Sequence, residues 1–204
     1  MPTLEIETRL RSAGHLWVAG IDEAGRGPLA GPVLAAAVIL PADFAHGLLN
    51  DSKQLSEKQR ERIYAELRAD DRLLISCAAA SEAEIDRLNI LRASHLAMER
   101  AVRGLTRVPD ICIIDGLPVP RFPWPHEGVV KGDGLSLSIA AASIIAKVER
   151  DRIMLAADAE YPQYGFAAHK GYGTPLHLSR LREHGPCPLH RRSFQPVAQR
   201  CLDL

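Results

Sequence analysis

The 204-residue chain has few cysteines and no excess of charge of either sign. Its four cysteines, Cys77, Cys112, Cys187 and Cys201, include no C-x-x-C pair and follow no regular spacing, which argues against a zinc site or a disulfide framework. Basic and acidic residues both total 25, so overall charge neither predicts nor excludes a nucleic-acid partner. The cysteine usage favours a reducing environment, and we expect a cytoplasmic protein.

Long apolar runs, internal repeats and low-complexity tracts are also missing. No stretch approaches the roughly 20 apolar residues that a membrane helix needs. Residues 1–11 mix acidic and basic side chains, so we expect no secretory signal there. Apolar residues make up 47% and charged residues 25%, which is typical of a globular chain. We expect a soluble protein with no membrane partner and one main core.

Short apolar runs alternate with amphipathic segments over most of the chain. We predict strands over 16–22, 32–40, 73–79, 109–115 and 127–130, and helices over 56–68, 81–88, 91–104, 136–160 and 175–183. Four prolines within 116–125 predict a loop, and residues after 161 are otherwise irregular. The alternation predicts an α/β sheet, and the tight connection between the first two strands makes that sheet mixed.

Acidic residues stand at the ends of several predicted strands. Asp22-Glu23 closes the first strand, Asp115 closes the fourth, and Asp133 follows the fifth. Carboxylates in such places are costly unless a cation compensates them, and Mg²⁺ or Mn²⁺ takes hard oxygen ligands. The set therefore predicts a site for two divalent ions about 3.5–4 Å apart, an arrangement that promotes phosphoryl displacement. For one aspartate alone, a turn cap is the better interpretation.

The adjacent pair Asp22-Glu23 needs a further condition. Neighbouring side chains of a regular strand point to opposite faces of the sheet. Both acids can serve one site only if the chain bends there, and we expect Gly20 and Gly25 on either side to permit that bend.

The motif Gly25-Arg26-Gly27 follows the acidic pair directly. Its two glycines allow another backbone to approach and expose amide donors, while Arg26 supplies a charged fork. Such a loop suits recognition of sugar hydroxyls in a shallow minor groove, where the 2′-hydroxyl distinguishes RNA from DNA. A Gly-x-Gly turn alone usually means only a tight connection, so its position beside the acids carries the interpretation.

One face of the longest predicted helix is small and polar. Helical spacing places on it Ser136, Ala140, Ser143, Lys147 and Asp151. This face suits close approach to a phosphate, with Ser143 donating a hydrogen bond. It equally suits tight packing of alanines on the sheet, with Lys147 paired to Asp151, and the pattern leaves both interpretations open.

These motifs together resemble the ribonuclease HII family, the type 2 ribonucleases H. The matching segments, in family order, are residues 20–28 (GIDEAGRGP), 31–33 (GPV), 51–53 (DSK), 114–116 (IDG), 131–133 (KGD), 138–147 (SIAAASIIAK), 150–151 (RD) and 170–174 (KGYGT). They extend over nearly the whole chain, from about Val18 to Phe194. The combination is far more specific than any single motif.

The resemblance implies particular roles for these residues. The implied metal-binding catalytic carboxylates are Asp22, Glu23, Asp115 and Asp133, which hold Mn²⁺ or Mg²⁺. The implied ribonucleotide-recognition residues are Gly25, Arg26 and Gly27, with Tyr172 against the sugar on its 3′ side. Independently, glycines on both sides of Tyr172 favour a ring presented for stacking on a sugar or base rather than one filling a gap in the core.

The resemblance also implies a fold and an activity. The implied fold is a ribonuclease H-like mixed sheet flanked by helices over residues 1–160, with a helical extension over 161–204 that packs on this core and helps to bind substrate. The implied enzyme is an endonuclease that cuts 5′ to ribonucleotides in RNA–DNA hybrids, and at single ribonucleotides in duplex DNA, leaving a 3′-hydroxyl and a 5′-phosphate. It would remove misincorporated ribonucleotides and RNA primers. We expect a monomer and identify no docking peptide for a protein partner.

Basic residues elsewhere suggest contacts with a nucleic-acid backbone. Lys53 would be a surface lysine in most proteins, but beside a nuclease site it suits a phosphate. Between residues 169 and 192, a single acid, Glu183, stands against five basic residues, Lys170, Arg180, Arg182, Arg191 and Arg192. This segment predicts with equal weight a phosphate-binding surface or a solvated face. Its four histidines lack zinc-site spacing, and we expect them at the surface or beside the substrate.

Three other classes of protein fit the sequence less well. Ribonuclease HIII has a related motif, but Arg26 between two glycines and the lack of a long N-terminal substrate-binding domain favour HII. A non-catalytic hybrid-binding module would have lost a carboxylate, and all four are present. An unrelated phosphotransferase would need a G-x-x-x-x-G-K-[ST] loop, which the sequence lacks.

Overall fold

Five strands form one mixed sheet in the computed structural model, which describes residues 1–49 and 55–202. The strands are β1 (Val18–Ala24), β2 (Val33–Ile39), β3 (Leu74–Ala80), β4 (Ile111–Asp115) and β5 (His126–Val129). The helices are α1 (Glu5–Ser12), α2 (Glu57–Ala69), α3 (Glu82–Leu88), α4 (Ile90–Arg103), α5 (Leu137–Glu160), α6 (Phe166–His169), α7 (Pro175–His184) and α8 (Gln195–Leu202). A 3₁₀ turn, Gly132–Gly134, precedes α5.

The strand order brings distant parts of the sequence to one edge of the sheet. The order is β3-β2-β1-β4-β5, with β1 antiparallel to β2 and parallel to β4. Strand β4 is in turn parallel to β5, so the carboxyl ends of β1, β4 and β5 point the same way. The predicted mixed sheet is confirmed, and its parallel half gathers the acidic strand ends.

The side chains of β2 explain why helices cover both faces of the sheet. All seven of its residues are buried, which is typical of a strand enclosed on both sides. Ala35 and Ala37 pack in one cluster with residues of α4, whereas Ala36 and Val38 pack in another with α2 and α5. This alternation follows from the two-residue period of a strand and places the core on both faces.

Gly20 allows α5 to approach the sheet closely. A Cβ atom at this position would lie 2.2 Å from the carbonyl carbon of Ser138 and 2.4 Å from the amide nitrogen of Ile139. Strand β1 continues without interruption through Glu23 to Ala24, paired with β2. The pair Asp22-Glu23 therefore lies within continuous strand pairing, and Gly20 serves the packing of α5 on β1.

Local capping signals account for the helices that the sequence predicted. Ser56 and Ser81 each form a complete capping box, with Gln59 and Glu84 respectively, at the starts of α2 and α3. Ser136 caps α5, which has 24 residues. Within the described part of the chain, no helix combines the length and apolarity required to cross a membrane.

The sequence did not predict helices α1, α6 and α8. Each has eight residues or fewer, and helices this short depend on tertiary packing more than on propensity. In α1, for example, Glu7 is buried and accepts hydrogen bonds from the hydroxyls of Ser136 and Ser138, more than 120 residues away. Such partners leave no local pattern in the sequence.

The C-terminal segment packs against the connection between β1 and β2. Ala30 and His190 form an isolated antiparallel bridge. The amide of Arg191 donates to the Leu29 carbonyl at 2.9 Å, and the amide of Gly31 donates to the Leu189 carbonyl at 2.9 Å. Main-chain contacts thus tie residues 189–191 to the loop that follows the acidic pair.

Candidate active site

Three aspartates converge at the carboxyl edge of the parallel strands. Asp22 lies in β1, Asp115 ends β4, and Asp133 lies in the 3₁₀ turn before α5. One carboxylate oxygen of each lies within 4.8 Å of those of the other two. Asp22 and Asp133 are only 5% and 6% exposed. Because like charges at this spacing repel, the cluster requires a proton or a cation to be stable.

The electrostatic environment of Asp22 shows this requirement directly. Burial raises its pKa well above the usual value, and the nearby carboxylates of Glu23 and Asp115 raise it further. A hydrogen bond from Ser143 and one from the Glu23 amide, at 2.7 Å, act in the opposite direction. The carboxylate is therefore held in place for a positive partner, which a divalent cation would supply.

Glu23 lines the same site but lies outside the group of three. Burial raises its pKa, whereas its neighbour Arg26 lowers it. The Oε1 atom pairs with Nη1 of Arg26 at 3.2 Å. The Oε2 atom is buried and accepts no hydrogen bond from the described residues. An unsatisfied buried carboxylate oxygen beside three converging aspartates fits a hard divalent cation such as Mg²⁺ or Mn²⁺.

Backbone contacts fix the orientation of Asp115. The amide of Gly132 donates to its Oδ1 atom at 2.7 Å. A Cβ on Gly132 would lie 2.6 Å from Ile139 Cδ1, so the turn that carries Asp133 packs tightly on α5. The two aspartates are therefore linked through the same short turn, which limits their relative movement.

The loop Gly25–Gly27 forms the wall beside the carboxylates. Gly25 has φ of +93°, a conformation that favours glycine, and a Cβ there would lie 2.0 Å from Arg150 Nε. A Cβ on Gly27 would make only an ordinary van der Waals contact, with Tyr172 Cε1 3.8 Å away, so the fold does not crowd this position. The first glycine is required by the fold, and the second keeps the surface of the loop open.

A cleft of about 270 Å³ joins these groups. Its lining includes the candidate residues Asp22, Glu23, Gly25, Arg26, Gly27, Asp115, Ser143, Lys147 and Tyr172. Tyr172 is 43% exposed, so it does not fill a gap in the core. The structure thus brings together most of the residues that the sequence singled out.

The polar face of α5 contains the ion pair of the packing interpretation, whereas its contact with a phosphate stays a prediction. Ser143 bonds to Asp22, and Lys147 lines the cleft. Lys147 also pairs with Asp151, with Nζ 2.7 Å from Oδ2. Ser136 lies elsewhere, buried against Glu7.

One basic residue of the cleft was missed by the sequence prediction. Arg60 of α2 lines the cleft, although no motif marked it. The only sequence signal was its place in the predicted helix that follows the DSK segment. Lys53 lies outside the described residues.

Three of the four C-terminal histidines are buried, so of the two expected locations, the surface or the substrate side, the surface is wrong for these three. His169, His177 and His190 are 7%, 0% and 1% exposed. His177 Nε2 lies 3.0 Å from His190 Nε2, and His177 Nδ1 lies 2.9 Å from the Tyr172 carbonyl. Burial lowers the pKa of His190 to about 4. Burial also lowers the pKa of His177, so His177 and His190 are neutral packing groups beneath the Tyr172 loop.

The basic segment is also less exposed than predicted. Arg191 is 0% exposed, so it cannot contribute to a phosphate-binding surface. Arg180 pairs with Glu183 at 2.8 Å, and Lys170 donates to the Ala167 carbonyl. The remaining exposed cations of this segment are Arg182 and Arg192.

The sequence and the fold both match characterised families of nucleases. The family model described as Ribonuclease HII matches residues 19–197. A "Ribonuclease HII" of Desulfitobacterium hafniense is 53% identical over 98% of this chain and 76% of that protein. A "Ribonuclease HII" of Bordetella pertussis is 56% identical over 88% of this chain and 89% of that protein.

A solved structure shows the same architecture. The ribonuclease H2 of Pyrococcus horikoshii superposes with a TM-score of 0.77 at 26% identity, covering 90% of this chain and 96% of that one. The expected ribonuclease H-like fold is therefore confirmed. With a family match over most of its length and an acidic cluster at the expected edge of that fold, the chain belongs to the ribonuclease HII family, the type 2 ribonucleases H, which are metal-dependent phosphodiester hydrolases.

Proposed function

We propose that the chain is an endonuclease that hydrolyses the phosphodiester 5′ to ribonucleotides. Its substrates are RNA–DNA hybrids and duplex DNA that contains single ribonucleotides, and the products carry a 3′-hydroxyl and a 5′-phosphate. The observation that carries this proposal is the placement of the Gly25–Gly27 loop and Tyr172 in one cleft with two of the three converging aspartates, Asp22 and Asp115. A recognition surface for a ribose thus adjoins a site for phosphoryl chemistry.

The carboxylates are the groups that would hold the metal. Asp22, Asp115 and Asp133 supply converging oxygens, and Glu23 supplies a buried oxygen from the next position of β1. Two Mg²⁺ or Mn²⁺ ions bound there would activate the attacking water and stabilise the leaving oxygen of an in-line displacement. The Ser143 hydrogen bond and the Gly132 amide keep Asp22 and Asp115 oriented for this purpose.

The cationic side chains of the cleft bind the substrate backbone. Lys147 and Arg60 lie on the helices α5 and α2, on the same cleft as the carboxylates. Burial lowers the pKa of Lys147, and its ion pair with Asp151 opposes this effect. We assign both cations to phosphate contacts, which position the strand without reading its sequence.

The Gly25–Gly27 loop and Tyr172 distinguish ribose from deoxyribose. Open backbone at Gly27 lets a ribose approach the amides of the loop, and the half-exposed ring of Tyr172 lies 3.8 Å from the Cβ position of Gly27. A 2′-hydroxyl placed between them both accepts and donates hydrogen bonds, whereas a deoxyribose does neither. We also assign Lys53 to a contact with a backbone phosphate of the substrate.

The C-terminal residues complete the binding surface. We assign residues 1–160 to the catalytic core and 161–204 to an extension that contributes Tyr172 and the exposed cations Arg182 and Arg192. The protein acts as a monomer in the cytoplasm. Its role is the removal of misincorporated ribonucleotides and RNA primers, in DNA repair and replication.

A cleavage assay with one matched substitution tests the proposal. A duplex with a single ribonucleotide is incubated with Mg²⁺, Mn²⁺ or chelator, and the cut is mapped by sequencing gel. Wild type should cut 5′ to the ribonucleotide with metal only, and Asp115→Asn should lose at least about 100-fold in rate. Asp43→Asn is the control, because its side chain is 79% exposed and pairs only loosely with Arg72, at 3.5 Å. Full activity of Asp115→Asn, or no cleavage by wild type with either metal, would refute the assignment.

A further inference from the structure

Arg191 holds the connection between β1 and β2 through four main-chain carbonyls. Its Nη2 atom donates to Gly25 at 2.6 Å and to Pro32 at 3.2 Å. Its Nη1 atom donates to Arg26 at 3.0 Å, and its Nε atom donates to Gly31 at 2.9 Å. One planar side chain from the C-terminal segment therefore spans both ends of a loop that lies some 160 residues earlier in the chain.

These hydrogen bonds determine which way the loop amides point. The described peptide bonds are all trans, so each carbonyl and the N–H that follows it point in opposite directions. The carbonyls of Gly25 and Arg26 face Arg191, and the amides of Arg26 and Gly27 consequently face away from it. Among the hydrogen bonds of residues 1–49 and 55–202, neither amide is a donor. Both residues line the cleft.

Arg191 is one of two buried guanidinium groups, and burying both charges is costly unless the loop carbonyls keep the positions that accept their hydrogen bonds. Arg191 is completely buried beside a second buried guanidinium, Arg150, which donates to the carbonyls of Ala30, Pro32 and Lys170. Burial and Arg150 lower the pKa of Arg191 to about 9, so it remains charged at neutral pH. Two buried cations in contact with carbonyls are unfavourable unless those hydrogen bonds are all made.

The backbone of Arg191 is fixed to the same connection. Its amide donates to Leu29, and the neighbouring His190 forms the bridge to Ala30. His190 also contacts His177, which in turn bonds to the Tyr172 carbonyl. The two walls of the cleft, the loop and Tyr172, are thus supported from one buried segment.

We infer that Arg191 is a positioning residue for sugar recognition: it turns the amides of Arg26 and Gly27 toward the cleft, where they donate hydrogen bonds to the ribonucleotide. Arg191 never touches the substrate. The inference rests on the proposed function for the identity of the ligand, whereas the orientation of the two amides is independent of it. It also assigns a specific contribution to the C-terminal segment, which acts on recognition from beneath the loop.

The test compares Arg191→Lys and Arg191→Met with wild type. Lysine keeps the charge but lacks the planar fork that reaches four carbonyls. Methionine keeps an unbranched side chain but has neither the charge nor the fork. The first readout is the ¹H–¹⁵N shift and hydrogen exchange of the Arg26 and Gly27 amides in the free protein. The second readout is kcat/KM on the single-ribonucleotide duplex, and the third is Mn²⁺ affinity without substrate.

Both variants should shift the two amide resonances and lower kcat/KM about 100-fold, since a misplacement of about 1 Å costs that much. Mn²⁺ affinity should change less than about twofold, because the carboxylates are untouched. Val102→Ala is the matched control. It opens a cavity in α4, away from the cleft, and should lower stability while leaving the amides and kcat/KM unchanged.

Two results would overturn the inference. One is unchanged Arg26 and Gly27 amides in Arg191→Lys, and the other is a kcat/KM for that variant no lower than that of Val102→Ala. If Arg191→Met fails to fold, the amide resonances and kcat/KM of Arg191→Lys still test the inference. Failure of wild type to cut the duplex refutes the proposed function instead, and the amide resonances then decide the role of Arg191.

Discussion

Substitution of Gly20 by alanine should disable the site without altering any of its functional groups. The added Cβ would lie 2.2 Å from the Ser138 carbonyl carbon, 2.4 Å from the Ile139 amide nitrogen and 2.5 Å from Ser138 Oγ. Two of these atoms belong to the backbone of α5 and cannot rotate away. Ordinary contact begins near 3.4 Å, so α5 must move from β1 by about 1 Å.

The size of the effect follows from what α5 carries. Overpacking of a core costs about 1–3 kcal/mol, and a clash with backbone lies at or above the top of that range. Ser143 and Lys147 move with the helix, away from Asp22 in β1. A displacement of about 1 Å at a reacting centre lowers activity about 100-fold. We therefore expect a loss of about 3 kcal/mol in unfolding free energy and a fall of about 100-fold in kcat/KM.

Urea denaturation followed by tryptophan fluorescence measures the first quantity. Cleavage of the single-ribonucleotide duplex, without urea and well below the thermal transition, measures the second. Gly47→Ala is the control, because nothing lies within 4 Å of its Cβ position. It should leave activity unchanged. Wild-type stability and activity in Gly20→Ala would show that α5 does not depend on this close approach, and the packing argument would be wrong.

Three further substitutions test the surroundings of the cleft. Arg60→Ala should raise KM and reduce the slope of log KM against log salt by about one, since one phosphate contact is lost; an unchanged slope would remove Arg60 from the substrate-binding surface. Tyr172→Phe should weaken the preference for a ribonucleotide over a deoxyribonucleotide in competition binding while shifting the urea midpoint little, and an equal loss of stability would make the tyrosine structural. His190→Asn should flatten the dependence of stability on pH. Burial lowers the pKa of His190 from 6.5 to about 4, so its contribution is complete above 6.5 and is lost as the pH falls through 4. The urea midpoint is measured at several pH values in that range. An equal pH dependence of the midpoint in wild type and His190→Asn would contradict the assignment of His190 as a buried neutral ring.

Features that depend on local pattern could be predicted from the amino-acid sequence. The apolar runs of β1 and β2, the serine caps of α2 and α3 and the length of α5 are all encoded within a few residues, and the structure has each element within about two residues of its prediction. The position of Asp115 at the end of β4 and of Asp22 near the end of β1, and the glycines of the neighbouring loop, were visible in the same way.

Features that depend on partners far along the chain became visible only in the folded protein. Three aspartates form one group with Glu23 beside them, and Gly20 serves the approach of α5. Arg191 and His190 are buried, although composition had suggested that they lie at the surface. A guanidinium bonded to carbonyls some 160 residues earlier leaves no periodic signal, because only the folded chain supplies the acceptors that make its burial possible.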